Sequence, residues 1–449
     1  MIPIIDFQRR SLTGPVMKSD EFDLDFSARV RELAAKYDIK YNPEELIVDD
    51  ATADAVFKAG VELLADIGLY HMETERVIKF TKEEIEAIAR EYREKPGKHT
   101  FGRGKDQVTV EYRTSTDRRP PVLYSGAAGV AEEDWFVPMI QSFAQEPSIK
   151  AMGICPGLAK LGSIEPKAGT LSEIHVGLWE QAHIKEALRR AGRPDMHCGL
   201  LATVSTPAGI MAMIGPGLRE AHNVQIGVHI IPEQKIDWSR LILSQFCQER
   251  GIQPWQSAMS LIGGLCRNPG ETAITMVANL LGQLSYAHGQ LCSLFTNHID
   301  GRWSTRPAFW AYSAAARASE RNIKVAIGGI AVSAIEAWKT QDQIMQAAAS
   351  AIVNTASAFT YCWIAGISGF EARLIGEVMD VSAGMERQKA NALVKRIMDK
   401  VEKTLPAGPA PQPNFPETYD LKTLRPWPAY EAAMLRGKEE LARLGVPYR

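Results

Sequence analysis

The sequence predicts an α/β protein of the (β/α)8 TIM-barrel class, with an N-terminal helical layer and a C-terminal helical arm. Three observations carry that prediction. Eight short apolar runs alternate with helical stretches between about Pro121 and Gly384. The runs are near-continuously apolar, the pattern of strands buried on both faces. Most gaps between them hold one helix and two loops, as in repeated βαβ units, eight of which close a barrel of roughly 250 residues. The runs are 122–124, 149–154, 196–201, 224–231, 255–262, 290–296, 323–331 and 359–364.

Residues 1–118 form the helical layer. Phe22, Phe26, Val30, Leu33 and Ala34 recur at helical spacing and predict a helix over 21–37; Val56, Ala59, Gly60, Leu63 and Leu64 predict another over 53–67. Thr81-Lys82-Glu83-Glu84 is a capping box that opens a third, 82–95. A stretch rich in Gly, Lys and Arg follows, 95–117. Within the barrel unit, 119–405, helices are expected over 169–191, 232–250, 271–288, 307–321, 336–358 and 369–383, with one more, 388–405, beyond the eighth strand. Residues 406–416 are too rich in proline for helix or central strand. They link to a last helix, 428–444, an arm that lies on this or a neighbouring subunit.

Composition excludes several classes. Hydrophobic content is 45%, charged content 23% and net charge −2. With no basic run, nucleic acid is not an expected partner. No uncharged apolar stretch reaches the roughly 18 residues of a membrane span. The start, Met1 to Asp6, lacks the charged head and apolar core of a signal peptide. Six scattered cysteines without paired spacing suit a reducing cytoplasm rather than a disulfide framework. Gly102-Arg103-Gly104 is no dinucleotide fingerprint, and P-loop, H-E-x-x-H, G-x-S-x-G and C-x-x-C motifs are missing.

In barrel enzymes the chemistry sits at the carboxyl ends of separate strands, so polar residues there are the candidates. His229 can act as an acid/base or bind a metal; its plainer role is a histidine tied to a loop carbonyl. Glu233 lies just beyond it. His197 and Cys198 are adjacent, so only one can face the interior. Cys198 is either a ligand or a core cysteine. Trp255 and Trp363 can wall a substrate ring or simply pack, and Gln256, Ser257 and Asn297 lie at neighbouring strand ends. Ser125, Gly126, Gly328, Gly329, Glu371 and Arg373 also fall near strand ends. The glycines among them would let a large flat ligand approach the backbone.

Three stretches resemble the monomethylamine:corrinoid methyltransferase family. One is 21–82, with Phe57-Lys58-Ala59-Gly60 and Ile67-Gly68-Leu69-Tyr70. The second runs from Gly369-Phe370-Glu371 to Glu377. The third is the tail, with Pro406-Ala407-Gly408, Tyr419-Asp420-Leu421 and Leu444-Gly445-Val446. The resemblance runs nearly end to end and implies a (β/α)8 barrel that hands a methyl group to the cobalt of a separate corrinoid protein. Methylamine members of the family use pyrrolysine on the third strand, a position that falls near Gly199. The family's two pocket glutamates fall near Gly227 and Ser257, and its pocket glutamine near Ala331. The amine-handling groups are therefore replaced.

A tryptophan-containing pocket with histidines suits a methoxylated aromatic ring, as in the first methyltransferase of an anaerobic O-demethylase system. On this reading His229, His197 and Glu233 are catalytic. Trp255, Gln256, Ser257, Asn297, Trp363 and Cys198 bind substrate. Ser125, Gly126, Gly328, Gly329, Glu371 and Arg373 face the corrinoid. A zinc ion held by His229 and Cys198 is a possible Lewis acid. Two alternatives stand beside it: transfer from another methylated amine or small methyl donor without pyrrolysine, and a non-catalytic paralogue that only binds the corrinoid protein. Family resemblance and the proline-linked arm imply a homo-oligomer.

Overall fold

The computed structural model of the chain describes residues 2–127, 129–199, 206–214, 217, 219–332, 340–404 and 413–448. The end of the run 196–201, the start of the helix 336–358 and most of the proline-rich stretch 406–416 lie outside the described residues.

Helices begin where side chains satisfy their first N–H groups. Asp49, Asp237, Asn268 and Thr305 each accept a hydrogen bond from the third residue onward, opening Asp50–Ile67, Trp238–Arg250, Pro269–Ala287 and Arg306–Asn322. The capping box forms as expected. Thr81 Oγ1 accepts from the Glu84 N–H at 3.2 Å, and the Glu84 carboxylate accepts from the Thr81 N–H at 3.0 Å. Ser19–Lys36, Leu171–Arg190, Thr340–Ala356, Gly369–Ser382, Arg387–Val401 and Pro428–Leu444 fall close to their expected places. One helix differs: it starts at Trp238, because Lys235–Ile236 pair as a strand with Leu69–His71 instead. Ile4–Thr13, Glu133–Ala144, Pro207–Met213 and the short Phe415–Thr418 are helices beyond those expected.

The N-terminal layer is not wholly helical. Leu69–His71 pairs with Arg76–Ile78, and the Gly-, Lys- and Arg-rich stretch folds into a hairpin of Lys98–Phe101 with Val108–Glu111. Helix Asp50–Ile67 lies across Pro269–Ala287 and Arg306–Asn322. Every residue of Pro269–Ala287 is buried, since strands cover one side and N-terminal helices the other. The C-terminal helix Pro428–Leu444 packs on Thr340–Ala356 and Arg387–Val401 of its own chain.

At the centre stands a parallel half-barrel. Its strands run in the order Val122–Leu123, Tyr361–Gly366, Ala326–Val332, Leu291–His298, Pro254–Ile262 and Ile226–Gly227; Gly126–Ala127 continues the first strand along Tyr361–Gly366. Beyond Val122–Leu123 the pairing passes on by single contacts rather than ladders. Tyr124 pairs with Ala151 and Met152 with Cys198, both parallel, and the Cys198 N–H donates to the Asn223 carbonyl at 3.2 Å. Backbones approach closely here: a Cβ on Gly199 would fall 1.8 Å from the Gly153 carbonyl oxygen. Among the described residues no helix is long and apolar enough to cross a membrane.

Candidate functional site

Alternate residues of a strand face opposite sides. On Pro254–Ile262, Trp255 and Ser257 point to the interior, where both meet His229. Gln256, Ala258, Ser260 and Ile262 are buried towards the helices. The same alternation places Gln225, Gly227 and His229, then Ser293, Phe295 and Asn297, then Gly328 and Ile330, then Tyr361 and Trp363 on the interior face. His229, Trp255, Met259, Leu261, Phe295 and Trp363 keep partial exposure while their helix-facing neighbours are buried. Solvent therefore reaches the interior at its carboxyl end.

The floor is closed by the N-terminal hairpin. Phe101 and Val110 join Tyr124, Ala151, Leu291, Ala326 and Tyr361 in one apolar cluster at the amino ends of the strands. The His197 ring lies 4.0 Å from Phe101, and its Nε2 bonds the Tyr124 hydroxyl, which donates to Gln225 Oε1. Burial, with Arg219 nearby, holds His197 well below the usual histidine range. His197 is thus a neutral floor residue, placed below the mouth. Above it the Tyr361 hydroxyl and Ser293 Oγ lie 3.0 Å apart, and Trp255 Nε1–H donates to Ser293 Oγ at 3.2 Å.

The upper level is aromatic and neutral. His229 Nδ1 is 2.7 Å from Ser257 Oγ. Its ring stands edge-on to Trp255 at 5.0 Å, and Trp255 stands edge-on to Trp363 at 5.9 Å. Ile330, Phe295, Trp303 and Trp363 form a cluster of their own. Burial, with a smaller contribution from Arg240, lowers the His229 pKa from 6.5 to about 4, so the ring is uncharged at neutral pH. Two polar atoms here are buried without partners among the described residues: Trp363 Nε1 and Asn297 Oδ1. Both are free to bond a ligand or an ordered water. None of the interior residues named above is a carboxylate.

Several expected residues stand elsewhere. Cys198 faces the helix side, with its sulfur 2.7 Å from Cys155 Sγ, so it cannot share a zinc ion or a substrate with His229. Among the described residues no three His, Cys, Asp or Glu side chains gather as a metal site. Glu233 is also on the helix side, accepting from Ser260 Oγ at 2.7 Å and the Leu261 N–H at 3.1 Å. Burial raises its pKa, and those two bonds oppose the rise. Gln256 is fully buried beside Gly289, away from the interior.

The set expected to face a corrinoid is mostly enclosed. Ser125 Oγ donates to the Ile364 carbonyl at 2.9 Å, and a Cβ on Gly126 would lie 2.1 Å from the Ile154 carbonyl oxygen. Gly328 makes room for the Tyr361 ring, whereas Gly329 faces Asn354 and Phe359. Glu371 is buried and accepts from the Ile367 N–H at 3.0 Å. Only Arg373 keeps substantial exposure, spread over the Phe370 ring at 4.9 Å. Ala331 points to the helices, and the interior position beside it is Ile330. Tyr124, Gln225, Phe295, Trp303 and Tyr361 belong to the site but lie outside the expected set. Counting by twos from Trp255 and Ser257 through the strand register would have found Phe295 and Tyr361.

A sequence model of the monomethylamine methyltransferase MtmB family matches residues 2–446. The chain belongs to the MtmB family. Monomethylamine methyltransferase MtmB2 of Methanosarcina acetivorans is 26% identical over 469 residues, covering 99% of this chain and 98% of that one. MtmB1 of Methanosarcina barkeri is likewise 26% identical over 471 residues, with the same coverage. The crystal structure of the Methanosarcina barkeri monomethylamine methyltransferase superposes with a TM-score of 0.91 at 24% identity, over 98% of each chain. The hydroxylamine complex of MtmB superposes with a TM-score of 0.90. Members of the MtmB family are methyltransferases that work with a separate corrinoid protein.

Gly227 and Ser257 lie on the interior face beside His229. A Cβ on Gly227 would come within 2.8 Å of His229 Nε2. The His229 ring therefore fills the space that a longer side chain at 227 would need.

Proposed function

We propose that this MtmB-family methyltransferase takes its methyl group from a methoxylated aromatic compound and passes it to the Co(I) of a corrinoid protein, an O-demethylation. The observation that carries the reading is an upper interior lined by aromatic faces and uncharged N–H donors, with no carboxylate among the interior residues named above. A methylammonium donor is cationic in its ground state and calls for a negative partner. An aryl ether is neutral, and negative charge develops on its oxygen as the methyl group departs. Donors aimed at that oxygen stabilise the transition state more than the ground state.

The roles follow from placement. The Co(I) corrinoid supplies the nucleophile that takes the methyl carbon in line as the carbon–oxygen bond breaks. Trp255 and Trp363 hold the substrate ring. With the Ser257 hydroxyl donating to Nδ1, His229 carries its proton on Nε2 and offers it to the leaving oxygen. The unpartnered Trp363 Nε1–H is the second donor, and Asn297 Oδ1 accepts from a hydroxyl on the ring. Around this site we take the single contacts through 149–154 and 196–199 to close an eight-stranded ring. The units are 1–118, 119–405 and 406–449, in a cytoplasmic homo-oligomer. The apolar groove of Ile4, Ile5, Leu241 and Ile242 beside Trp238 suits self-association.

The crossed Trp255, Trp363, Phe295 and Trp303 rings favour a second reading, since aromatic faces also attract a quaternary ammonium group. Anaerobic assays with the Co(I) corrinoid protein separate the two. With 2-methoxyphenol, monomethylamine and glycine betaine as donors, loss of Co(I) absorbance is expected with 2-methoxyphenol alone. Turnover of monomethylamine would sink the proposal, and faster turnover of glycine betaine would replace it with the second reading. Trp363→Phe keeps the ring and removes the donor. It is expected to slow ether demethylation roughly tenfold, the worth of one hydrogen bond of about 1.4 kcal/mol. An unchanged rate removes that donor from the mechanism.

A further inference from the structure

The six cysteines are all unbonded and buried. Each lies 19 or more residues from any other in the chain, and spacing along the sequence pairs none of them. The fold does otherwise for two. Cys198 sits within the third run, where its backbone pairs with Met152, and Cys155 follows Met152 by three residues. Their sulfurs are 2.7 Å apart, closer than non-bonded heavy atoms rest at their optimum of about 3.5–4.0 Å. Cys266, Cys292 and Cys362 sit instead against Thr275, Gln283 and Asn354. A buried cation accompanies the pair. The Arg219 guanidinium donates to the carbonyls of Cys198 and Gly199, while its Nε finds no acceptor among the described residues.

We infer that Cys155 and Cys198 form a reversible dithiol–disulfide site in the barrel wall, with Cys198 the attacking sulfur and Cys155 the resolving one. Position distinguishes the two, because the guanidinium lies on the Cys198 side and a cation favours thiolate. Burial works against ionisation of Cys198, but the hydrogen bond from Cys155 and the Arg219 charge outweigh it and lower that pKa; burial pushes Cys155 well up.

The oxidant is a small-molecule disulfide such as oxidised glutathione. The Cys198 thiolate attacks one of its sulfurs, the sulfur–sulfur bond breaks, and one thiolate leaves. The Cys155 thiol then loses its proton and attacks Cys198 Sγ in the mixed disulfide, expelling the second thiolate. Two protein thiols are oxidised, one small disulfide is reduced to two thiols, and the protons end on the departing groups. Access comes from local opening, since among the described residues a single pair, Met152 with Cys198, joins the two strands at this point.

The test equilibrates the reduced full-length protein with excess oxidised glutathione, unfolds it in alkylating agent and maps the peptides by mass spectrometry. One Cys155–Cys198 disulfide per chain is expected, reversed by dithiothreitol, with Cys247, Cys266, Cys292 and Cys362 alkylated. Six free thiols at equilibrium, or adducts spread evenly over all six, would overturn the site. Cys155→Ser is expected to stop at a glutathione adduct on Cys198, and Cys198→Ser to leave Cys155 unmodified. Equal adduct formation in both variants would overturn the assignment of attacking and resolving sulfurs. The wild-type peptide map stands even where a variant folds poorly.

Discussion

His229→Ala is expected to lower kcat for methyl transfer by about 10²–10³, the loss typical when one donor to a developing oxyanion is removed. The effect should fall on kcat more than on KM, because the donor is needed most when charge appears on oxygen. The protein should remain folded, since His229 keeps partial exposure and its neighbour Trp255 retains its contacts with Ser293 and Trp363. Loss of Co(I) absorbance under saturating donor measures the rate, and a rate within about threefold of wild type would remove His229 from the chemistry.

The pH dependence gives an independent check. His229 titrates near 4 in the folded protein against 6.5 when unperturbed. The neutral ring is the working form, so activity should persist through pH 6 and 5, and its acid limb should lie well below 6.5. For stability, the unfolded chain binds more protons between 6.5 and about 4. This group therefore costs nothing above 6.5 and destabilises the fold as pH falls through that window. His229→Ala should flatten that part of the curve, read from urea midpoints at pH 7 and pH 5.

The largest stability effect is expected at Arg113. Its side chain is buried, and its guanidinium donates to four backbone carbonyls: Arg119 at 3.0 Å, Asp117 at 2.9 Å, Thr355 at 2.7 Å and Phe359 at 3.1 Å. These bonds tie the chain entering Val122–Leu123 to the chain entering Tyr361–Gly366, two strands that pair in register. Burial lowers the Arg113 pKa to about 10, so it stays charged at neutral pH. Arg113→Met keeps much of the volume and orphans all four carbonyls. Each bond to a charged donor is worth about 1.5–3 kcal/mol, and a buried unpaired acceptor adds its own cost. A loss of about 3 kcal/mol or more in urea unfolding is expected. A loss under about 1 kcal/mol would show that solvent replaces the guanidinium.

Much of the architecture was legible in the chain because it depends on local chemistry. The apolar runs from 255 onward became the long parallel strands Pro254–Ile262, Leu291–His298, Ala326–Val332 and Tyr361–Gly366. Pro428–Leu444 matched its expected bounds, and the Thr81 capping box formed. Those features rest on periodicity, capping and turn residues, which neighbouring positions define. The runs 149–154 and 196–201, each with a glycine inside it, were harder, since glycine weakens a ladder and permits close backbone approach.

Side-chain direction needed the folded molecule. Trp255 and Gln256 are neighbours in sequence, yet one faces the aromatic interior and the other a helix. A shift of one residue exchanges the faces, and only strand register decides it. Cys155 and Cys198, 43 residues apart, meet because two strands pair at Met152, and Glu233 turns away to Ser260 despite standing four residues from His229. The chain order of amino acids settles which segments become strands and helices, because each segment carries its own pattern. Which side chains converge on one point is settled by long-range packing, because contacts between distant segments leave no trace in local spacing.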